Sequence, residues 1–229
     1  MVLVTAATDF EMQPFTSACR LDGVSRLVTG IGPVETAVNL FSRLSGRDGG
    51  VSAVINFGVA GAYIQEGGNK GPQILDICLA EKEIFGDLGI CLEDRIERIA
   101  GPGLSTPLSF PMDAGLLAQA EQALTAASIS CFRGNFVTVG CASGTTRRGR
   151  MLAGLYRGLC ENMEGAAVAR VCREFGLPCL ELRCVSNLVE DRDRSRWRLR
   201  DACAMAAEAA ALVVAHILVR GHVQGVEAQ

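Results

Sequence analysis

Residues 21–44, LDGVSRLVTGIGPVETAVNLFSRL, contain the pattern that decides the fold. Residues 21–29 are apolar enough for a buried strand, and the glycine-rich segment 30–33 turns the chain into a helix over about 34–44. Pro33 stands near the first position of that helix, where its missing N–H costs least. The segment therefore predicts a strand, a tight turn and a helix in succession.

The same succession continues in both directions from this stretch. Residues 1–6 predict a buried strand, and Thr8 or Asp9 can cap the short helix that follows it. The apolar run 51–57 predicts a strand that ends at the glycine-rich turn 58–61. The remaining expected elements are a strand at 73–83, an irregular stretch at 86–111, a helix at 113–128 capped by Asp113, a strand at 129–139, a helix at 163–175, a strand at 178–185 and a long C-terminal helix.

Alternating strands and helices joined by short turns favour a sheet covered by helices on both faces. We therefore predict one α/β domain over residues 1–229, with three layers and a mixed, mostly parallel central sheet. Ligands of such sheets bind beyond the carboxyl ends of the strands. The segments that follow strands, at 6–11, 57–61 and 185–190, are therefore the expected walls of the site.

The composition points to a small-molecule partner. The net charge is −3, from 22 Lys and Arg against 25 Asp and Glu, so no field of one sign covers the surface to attract nucleic acid or an anionic membrane. The ten cysteines lie singly along the chain, without zinc-ligand spacing, which favours reduced thiols and no metal. The first residues lack the pattern of a secretory signal, so we expect a cytoplasmic location.

Residues 202–219 are almost entirely apolar and nearly long enough to be considered as a membrane span. Eight of these eighteen residues are alanine, and Glu208 and His216 lie among them. Alanine contributes little to membrane insertion. We therefore expect a packed helix here, and no membrane partner.

The turn Gly30-Ile31-Gly32 follows a strand and matches the first half of the G-x-G-x-x-G dinucleotide-binding fingerprint. Glu35 stands where the third glycine of that fingerprint would be. A lone GxG is weak evidence, so a tight turn that packs the helix on the sheet is favoured over a nicotinamide site. No organic cofactor is expected.

Two segments near the C-terminal half carry candidate site residues. In ENMEGAAVA, residues 161–169, Glu164 stands in the first turn of the predicted helix, where a carboxylate is either a dipole-compensating cap or a ligand. In ELRCVSN, residues 181–187, Arg183 and Asn187 have the same parity along a strand and its exit. Both side chains are therefore expected to face one pocket.

Five ordered segments resemble the purine nucleoside phosphorylase and nucleosidase superfamily, specifically its methylthioadenosine/S-adenosylhomocysteine nucleosidase branch. They are TAATDFE at 5–11, GIGPVETA at 30–37, NFGVAGAY at 56–63, MEGAAVARVC at 163–172 and LRCVSN at 182–187. Within that branch, SNLVEDRDRSRW at 186–197 resembles the futalosine hydrolases, which remove hypoxanthine from futalosine in menaquinone biosynthesis. The resemblance implies a phosphorylase-like fold, hydrolysis of a purine N-glycosidic bond without a cofactor, and a homo-oligomer, either dimer or tetramer.

The resemblance also implies roles for four residues. Glu11 matches the acid that activates water, and Arg183 matches the arginine that helps to orient it. Glu164 matches the carboxylate that binds the ribose hydroxyls, and Met163 matches the apolar floor under the sugar. Such a set suits a reaction whose transition state is an oxocarbenium-like sugar, which needs stabilised positive charge, a better leaving group and a positioned water.

Position 187 departs from the adenine-specific branch, which has aspartate there. An ionised carboxylate cannot donate a hydrogen bond to a 6-oxo group, whereas the amide of Asn187 can donate to O6 and accept from N7–H. A site built for one such partner rejects the other strongly. Asn187 therefore favours hypoxanthine over adenine, unless it is an asparagine in an ordinary turn.

Further substrate contacts are expected from the resemblance. Residues 138–145 match the loop that lies against the purine, but Ala142 stands near the position of the expected stacking aromatic residue, so Phe57 or Phe136 is a candidate instead. The expected substrate-binding positions outside the four residues above are Gly58, Ala60, Cys141, Ala142, Ser143 and Phe136.

Five arginines alternate along residues 192–200 and form either a solvated charged face or a contact for an anion. Because acidic residues interrupt them, nucleic acid is not the expected partner. Futalosine carries a benzoate at the end of its 5′ substituent, so Arg194 or Arg196 is a candidate partner for that carboxylate.

Two other functions remain open from the sequence. Another purine nucleosidase or a phosphorylase is the first, although Glu11 would repel a phosphate dianion and the glycine-rich phosphate loop of the phosphorylases is missing. A non-catalytic nucleoside-binding module is the second.

Overall fold

The computed structural model describes residues 1–46, 50–65, 71–99, 101 and 106–226, apart from the side chains of 221–226. Within these residues it contains ten strands and six α-helices. The strands are β1 Val2–Ala6, β2 Val24–Val28, β3 Ala53–Tyr63, β4 Ile77–Phe85, β5 Ile90–Cys91, β6 Ile96–Glu97, β7 Ser109–Pro111, β8 Cys131–Thr138, β9 Gly158–Asn162 and β10 Cys179–Val189. The helices are α1 Asp9–Ala18, α2 Pro33–Ser45, α3 Ala114–Ala126, α4 Thr146–Tyr156, α5 Gly165–Glu174 and α6 Leu199–Val226.

Eight strands form one mixed sheet in which most neighbours are parallel. Its order is β10-β4-β8-β9-β3-β1-β2, with β7 added beside β4. β3 pairs with β1 and β10 in parallel and with β9 in the antiparallel direction. Because β10 pairs with both β4 and β3, five strands of the sheet curl into a closed ring. The predicted mixed, mostly parallel sheet is confirmed.

Helices cover the two faces of the sheet, as expected for a three-layer fold. One hydrophobic core lies between the sheet and α1, α3 and α6, and a second lies between the sheet and α2 and α5. In the first core, the rings of Phe15 and Phe57 are 5.2 Å apart between centroids. Such an aromatic pair stabilises by about 0.5–1.5 kcal/mol beyond its buried area. All ten cysteines are free, and seven are buried.

The structure corrects the prediction of a turn at residues 58–61. β3 continues through these residues to Tyr63, because β10 and β9 pair with this part of the strand. The glycines are needed here for close approach: a Cβ at Gly61 would lie 2.9 Å from a methyl group of Val189. Long-range pairing and side-chain packing, and not turn formation, account for glycine in this segment.

Three further differences concern regions without a clear sequence pattern. The sequence analysis missed α4 and β9, since residues 146–162 lack a clean apolar period. The stretch 86–111, expected to be irregular, contains the short strands β5, β6 and β7, while positions 100 and 102–105 lie outside the described residues. The caps Thr8 and Asp113 are confirmed at the starts of α1 and α3.

Helix α6 contains the apolar segment that resembled a membrane span. Over Leu199–Arg220 it is the one described helix that is long and apolar enough to cross a bilayer, and half of its most apolar part is buried inside the molecule. It packs against α1 and α3 and across β3 and β10. The expectation of a packed helix therefore agrees with its contacts.

Candidate active site

The three segments expected as site walls, 6–11, 57–61 and 185–190, meet around one cavity of about 400 Å³. Ligand sites for small molecules have volumes of this order. Only the first segment follows a strand: 57–61 lies within β3, and β10 continues to Val189 instead of ending at 185 as predicted, because it pairs with β3 along this part. The expected site residues that line the cavity are Glu11, Ala60, Ala142, Ser143, Met163, Glu164, Arg183 and Asn187. The wall is built from the start of α1, the middle of β3, the loop after β8, the start of α5 and the end of β10.

The capping box of α1 holds Glu11 in the cavity wall. Thr8 donates from both its backbone N and its Oγ1 to Glu11 Oε2, at 3.1 and 2.8 Å, and accepts from the Glu11 N–H. The other carboxylate oxygen, Oε1, accepts from the backbone N–H of Val59 at 3.2 Å. Glu11 is 5% exposed. Two elements far apart in sequence therefore fix the orientation of this acid.

Arg183 lies fully buried beside Glu11 and binds three acceptors. Its guanidinium donates to Glu181 Oε1 at 2.8 Å, to the Val59 carbonyl at 3.1 Å and to Glu164 Oε2 at 3.4 Å. Burial opposes the charge, but the carboxylates Glu181, Glu164 and Glu11 outweigh it and raise the pKa of Arg183. The backbone of Val59 thus orients both Glu11, through its N–H, and Arg183, through its carbonyl.

Gly58 leaves the space that Glu11 and Arg183 occupy. A Cβ at this position would lie 2.5 Å from Glu11 Oε1 and 2.8 Å from Arg183 Nη1. Gly58 itself is not part of the cavity wall. We expected it to contact the substrate, but it instead leaves room for Glu11 and Arg183, which line the cavity.

Gly58→Ala is expected to lower kcat by about 10-fold or more while changing the free energy of unfolding by only about 1–2 kcal/mol. The added methyl displaces the ends of two flexible side chains, which is inexpensive for folding, but a displacement of about 1 Å in a catalytic group is costly for the reaction. Steady-state kinetics and thermal unfolding measure the two quantities. Gly154→Ala, on open surface, serves as the control, and equal activity of both variants would contradict the expectation.

Glu164 is the N-cap residue of α5, but its side chain does not cap the helix. Its Oε1 accepts from the backbone N–H of Gly32 at 3.1 Å, and its Oε2 accepts from Arg183. Burial raises the pKa of Glu164, and the nearby charge of Arg183 opposes that rise. The glycine turn before α2 therefore does more than pack a helix on the sheet, since it positions the carboxylate expected to bind ribose.

Other residues take over the capping of α5 and leave Glu164 free to face the cavity. Asn162 Oδ1 accepts from the N–H groups of Glu164 and Gly165 at 2.9 and 2.7 Å, and Thr138 Oγ1 accepts from the next N–H at 2.7 Å. Asn162 and Thr138 in turn donate to the two oxygens of the buried Glu83. Burial and the neighbouring Glu181 raise the pKa of Glu83 well above its usual range, which favours its neutral form.

Asn187 lines the same cavity as Glu11, further along β3: Glu11 lies at Gly58, and Asn187 lies at Gly61. Its Oδ1 accepts from Ser186 Oγ at 2.8 Å, and its Nδ2 donates to the Leu188 carbonyl at 3.0 Å. An amide has two N–H groups and two lone pairs, so one of each remains for a ligand. The strand pairing shifts register between Val185 and Asn187, yet both Arg183 and Asn187 line the cavity, as the sequence parity predicted.

The loop after β8 contributes Ala142 and Ser143 to the cavity wall, while Cys141 is exposed and lies outside it. The two phenylalanines considered for stacking are fully buried in the hydrophobic cores: Phe57 packs on the α1 side of the sheet and Phe136 on the α5 side. Neither lines the cavity. The expected contact of Phe136 with the base is thus corrected, because its ring fills a core instead.

At the mouth of the cavity the wall is apolar and contains Phe10, Ile31, Trp197 and Leu199. Arg194 and Arg196 form one turn of 3₁₀ helix beside this mouth and do not line the cavity. Arg196 pairs with Glu190 at 2.7 Å. Of the residues 192–200, only Trp197 and Leu199 line the cavity. The centroid of the Trp197 ring lies 5.7 Å from the guanidinium carbon of Arg192.

Glu161 is a lining residue that the sequence analysis did not select. It is the penultimate residue of β9, a strand that itself escaped prediction, and it is 6% exposed. Its only sequence signal was its place three residues before Glu164. Trp197 and Ile31 line the cavity as well, although they were considered only as part of a charged run and of a turn.

Comparison with known proteins identifies relatives of this chain. A sequence model of the phosphorylase superfamily matches residues 15–219. The futalosine hydrolase of Thermus thermophilus is 33% identical over 196 residues, which cover 82% of this chain and 79% of that protein. The futalosine hydrolase of Streptomyces coelicolor is 31% identical over 194 residues, covering 82% and 77% of the two chains.

Solved structures show the same fold. A mutant futalosine hydrolase of Helicobacter pylori superposes with a TM-score of 0.80 at 20% identity, over 93% of this chain and 97% of that one. The 5′-methylthioadenosine/S-adenosylhomocysteine nucleosidase of the same organism, in complex with a substituted pyrrolidin-3-ol, gives the same TM-score, identity and two coverages.

Proposed function

The chain belongs to the phosphorylase superfamily, and we propose that its site hydrolyses the N-glycosidic bond of futalosine to give hypoxanthine and dehypoxanthine futalosine. Futalosine hydrolases are its relatives at 30–33% identity. The observation that carries the proposal is one cavity whose wall contains both the fixed carboxylate of Glu11 and the amide of Asn187. This arrangement suits attack by water at a sugar whose base is a 6-oxopurine.

The chemistry follows from the placement of the charged residues. Water attacks C1′ of the ribose, the bond from C1′ to N9 of the purine breaks, and Glu11 accepts the proton that the water loses. Glu164 binds the ribose hydroxyls, and the carboxylates of Glu11 and Glu164 stabilise the positive charge that develops on the sugar. Arg183 is held by Glu181 behind it and keeps both acids in place.

The leaving base is bound beside Asn187. Because an amide cannot supply a proton, N7 of the departing purine takes one from solvent; Asn187 then accepts from this N7–H and donates its free N–H to O6. A 6-amino group offers no acceptor to that N–H, so adenine would leave it unpaired. The amide therefore supports hypoxanthine as the released base.

The test is incubation of the purified protein with futalosine, inosine and methylthioadenosine in phosphate-free buffer, followed by analysis of the released bases. We expect hypoxanthine from futalosine at a rate that added phosphate does not raise. A requirement for phosphate would favour a phosphorylase, and release of adenine alone would favour a methylthioadenosine nucleosidase. Binding without release of any base would favour a nucleoside-binding module.

Arg194→Ala or Arg196→Ala is expected to raise KM for futalosine about 10-fold with little effect on KM for inosine. The reason is that a charge-assisted pair with the benzoate of the 5′ substituent is present in one substrate and absent from the other. Trp197, which follows Arg196 in the chain, lines the cavity, and this supports binding of the 5′ substituent beside these arginines. Arg170→Ala, an exposed arginine paired with Glu174 on α5, is the control, and equal effects on the two substrates would exclude the benzoate role.

We also propose that the protein acts as a homo-oligomer, a dimer or a tetramer, in the cytoplasm and in menaquinone biosynthesis. Support for the oligomer comes from α2, where Val34, Val38 and Phe41 are exposed on one face at helical spacing. This stripe continues to Ile31 at the mouth of the cavity. An exposed apolar surface of this kind is typical of an interface between protein chains. Light scattering of the purified protein measures how many copies of the chain assemble.

A further inference from the structure

Glu161 is a carboxylate in the cavity wall for which the proposed reaction has no use. It lies beside Asn187, where the purine base is proposed to bind. A Cβ at Gly61, between the two residues, would lie 3.2 Å from Asn187 Nδ2 and 3.6 Å from Glu161 Cγ. Its side chain is almost completely removed from solvent. Burial of a charge is costly unless hydrogen bonds compensate it, so a carboxylate in this place calls for a role.

The structure fixes Glu161 as a hydrogen-bond acceptor. Its Oε1 accepts from the backbone N–H of Ser143 at 2.7 Å, and its Oε2 accepts from the Tyr63 hydroxyl at 3.1 Å. Burial raises the pKa of Glu161, and the hydrogen bonds from Ser143 and Tyr63 oppose the rise because they favour the ionised form. An ionised carboxylate accepts about four hydrogen bonds. About two positions therefore remain for a donor from the cavity.

We propose that Glu161 accepts the N1–H hydrogen bond of a 6-oxopurine and so determines, together with Asn187, which base the site takes. The inference rests on the proposed function and extends it. In hypoxanthine the donor N1–H and the acceptor O6 are on neighbouring atoms of the ring. In the cavity wall the acceptor Glu161 and the donor Asn187 lie side by side, so the two patterns are complementary.

The same pair of residues disfavours a 6-aminopurine. Adenine has no hydrogen on N1, so its N1 lone pair would face the carboxylate, and its 6-amino group would face the N–H of Asn187. Because N7–H is common to both leaving bases, the contact of Asn187 with O6 is its only discriminating one. Glu161 adds a second discriminating contact, because only a 6-oxopurine has a hydrogen on N1 for it to accept.

The proposal is tested with a pair of substrates that differ only in the purine, futalosine and its counterpart with a 6-amino group. Glu161→Gln is expected to lower kcat/KM for futalosine about 10- to 100-fold and to leave kcat/KM for the 6-amino substrate unchanged or raised. A glutamine amide can turn its N–H toward N1 of adenine. Glu174→Gln removes a carboxylate on the exposed surface of α5 and serves as the matched control.

A binding measurement on the wild-type protein keeps the test independent of the variant. Methylation of N1 removes the donor, so 1-methylhypoxanthine is expected to bind at least about 10-fold more weakly than hypoxanthine by calorimetry. In Glu161→Ala, which also opens space for the methyl group, this difference is expected to shrink to within about threefold. A thermal unfolding curve shows whether each variant is folded.

The outcomes distinguish an error in the role of Glu161 from an error in the proposed function. If the wild-type protein releases hypoxanthine and a folded Glu161→Gln keeps the full preference for futalosine, the role of Glu161 is wrong and the proposed function stands. Equal binding of hypoxanthine and its 1-methyl derivative to the wild-type protein would likewise overturn the role of Glu161. If the wild-type protein releases only adenine, the proposed function and this inference fail together.

Discussion

Glu11→Gln is expected to lower kcat for futalosine by about 10²- to 10⁴-fold while changing substrate affinity little. Glutamine has nearly the same shape as glutamate, so the water and the sugar keep their places, but an amide cannot accept the proton that the water must lose. One amide oxygen also cannot replace both carboxylate oxygens, which accept from Thr8 and Val59. The fold should therefore lose about 1–2 kcal/mol of stability.

Steady-state and single-turnover kinetics measure the loss in kcat, and calorimetry with a nonhydrolysable analogue measures affinity. Asp9→Asn makes the same change of charge at an exposed position of the same helical turn, and it is expected to keep full activity. A folded Glu11→Gln with kcat within about threefold of the wild type would falsify the role of Glu11 as the base. Loss of affinity with unchanged kcat would assign Glu11 to binding instead.

Asn187→Asp is expected to change the ratio of kcat/KM for futalosine to that for its 6-amino counterpart by about 100-fold or more in favour of the amino substrate. An aspartate accepts hydrogen bonds from both N7–H and a 6-amino group. A 6-oxo group is itself an acceptor, so it would face the carboxylate without a hydrogen between them. A site whose polar groups lose their partner rejects the substrate that lacks it. The new carboxylate would also face the Leu188 carbonyl, to which Asn187 donates at 3.0 Å, and this costs about 1–3 kcal/mol of stability.

Competition between the two substrates in one reaction gives the ratio directly, without separate determination of enzyme concentration. Asn187→Ala is the control: it removes both contacts and should lower kcat/KM for both substrates. Because Glu161 remains, the reversal by Asn187→Asp should be incomplete, and adding Glu161→Gln should carry it further. Retention of the preference for futalosine in Asn187→Asp would show that the base is selected elsewhere in the cavity.

The charges in the site are arranged around one buried arginine. Arg183 contacts Glu181 and Glu164 directly and lies beside Glu11 at Gly58. Removing one partner of a buried charge leaves the others uncompensated, which is strongly destabilising. Arg183 therefore holds Glu164 and Glu181 by ion pairs and keeps Glu164 in the cavity wall.

Much of this site follows from the sequence, because local rules act on it. The start of α2 at Pro33 and the caps Thr8 and Asp113 depend on residues within one turn of the helix they begin. The carboxyl ends of parallel strands lie at the same edge of a sheet whatever the loops between them, and β1, β3 and β10 are parallel. Glu11, Arg183 and Asn187 were therefore expected to face one cavity, which they do.

The tertiary structure alone decided the rest, because those features depend on residues far apart in the chain. β3 continues past its glycines since β9 and β10 pair with it, and Glu164 faces the cavity since Asn162, Thr138 and Gly32 satisfy the backbone around it. Glu161 enters the site on a strand that has no apolar period of its own. Hydrogen bonds between residues more than 100 positions apart, such as those from Gly32 to Glu164 and from Arg183 to Val59, leave no periodic trace in a sequence, so only the folded chain reveals them.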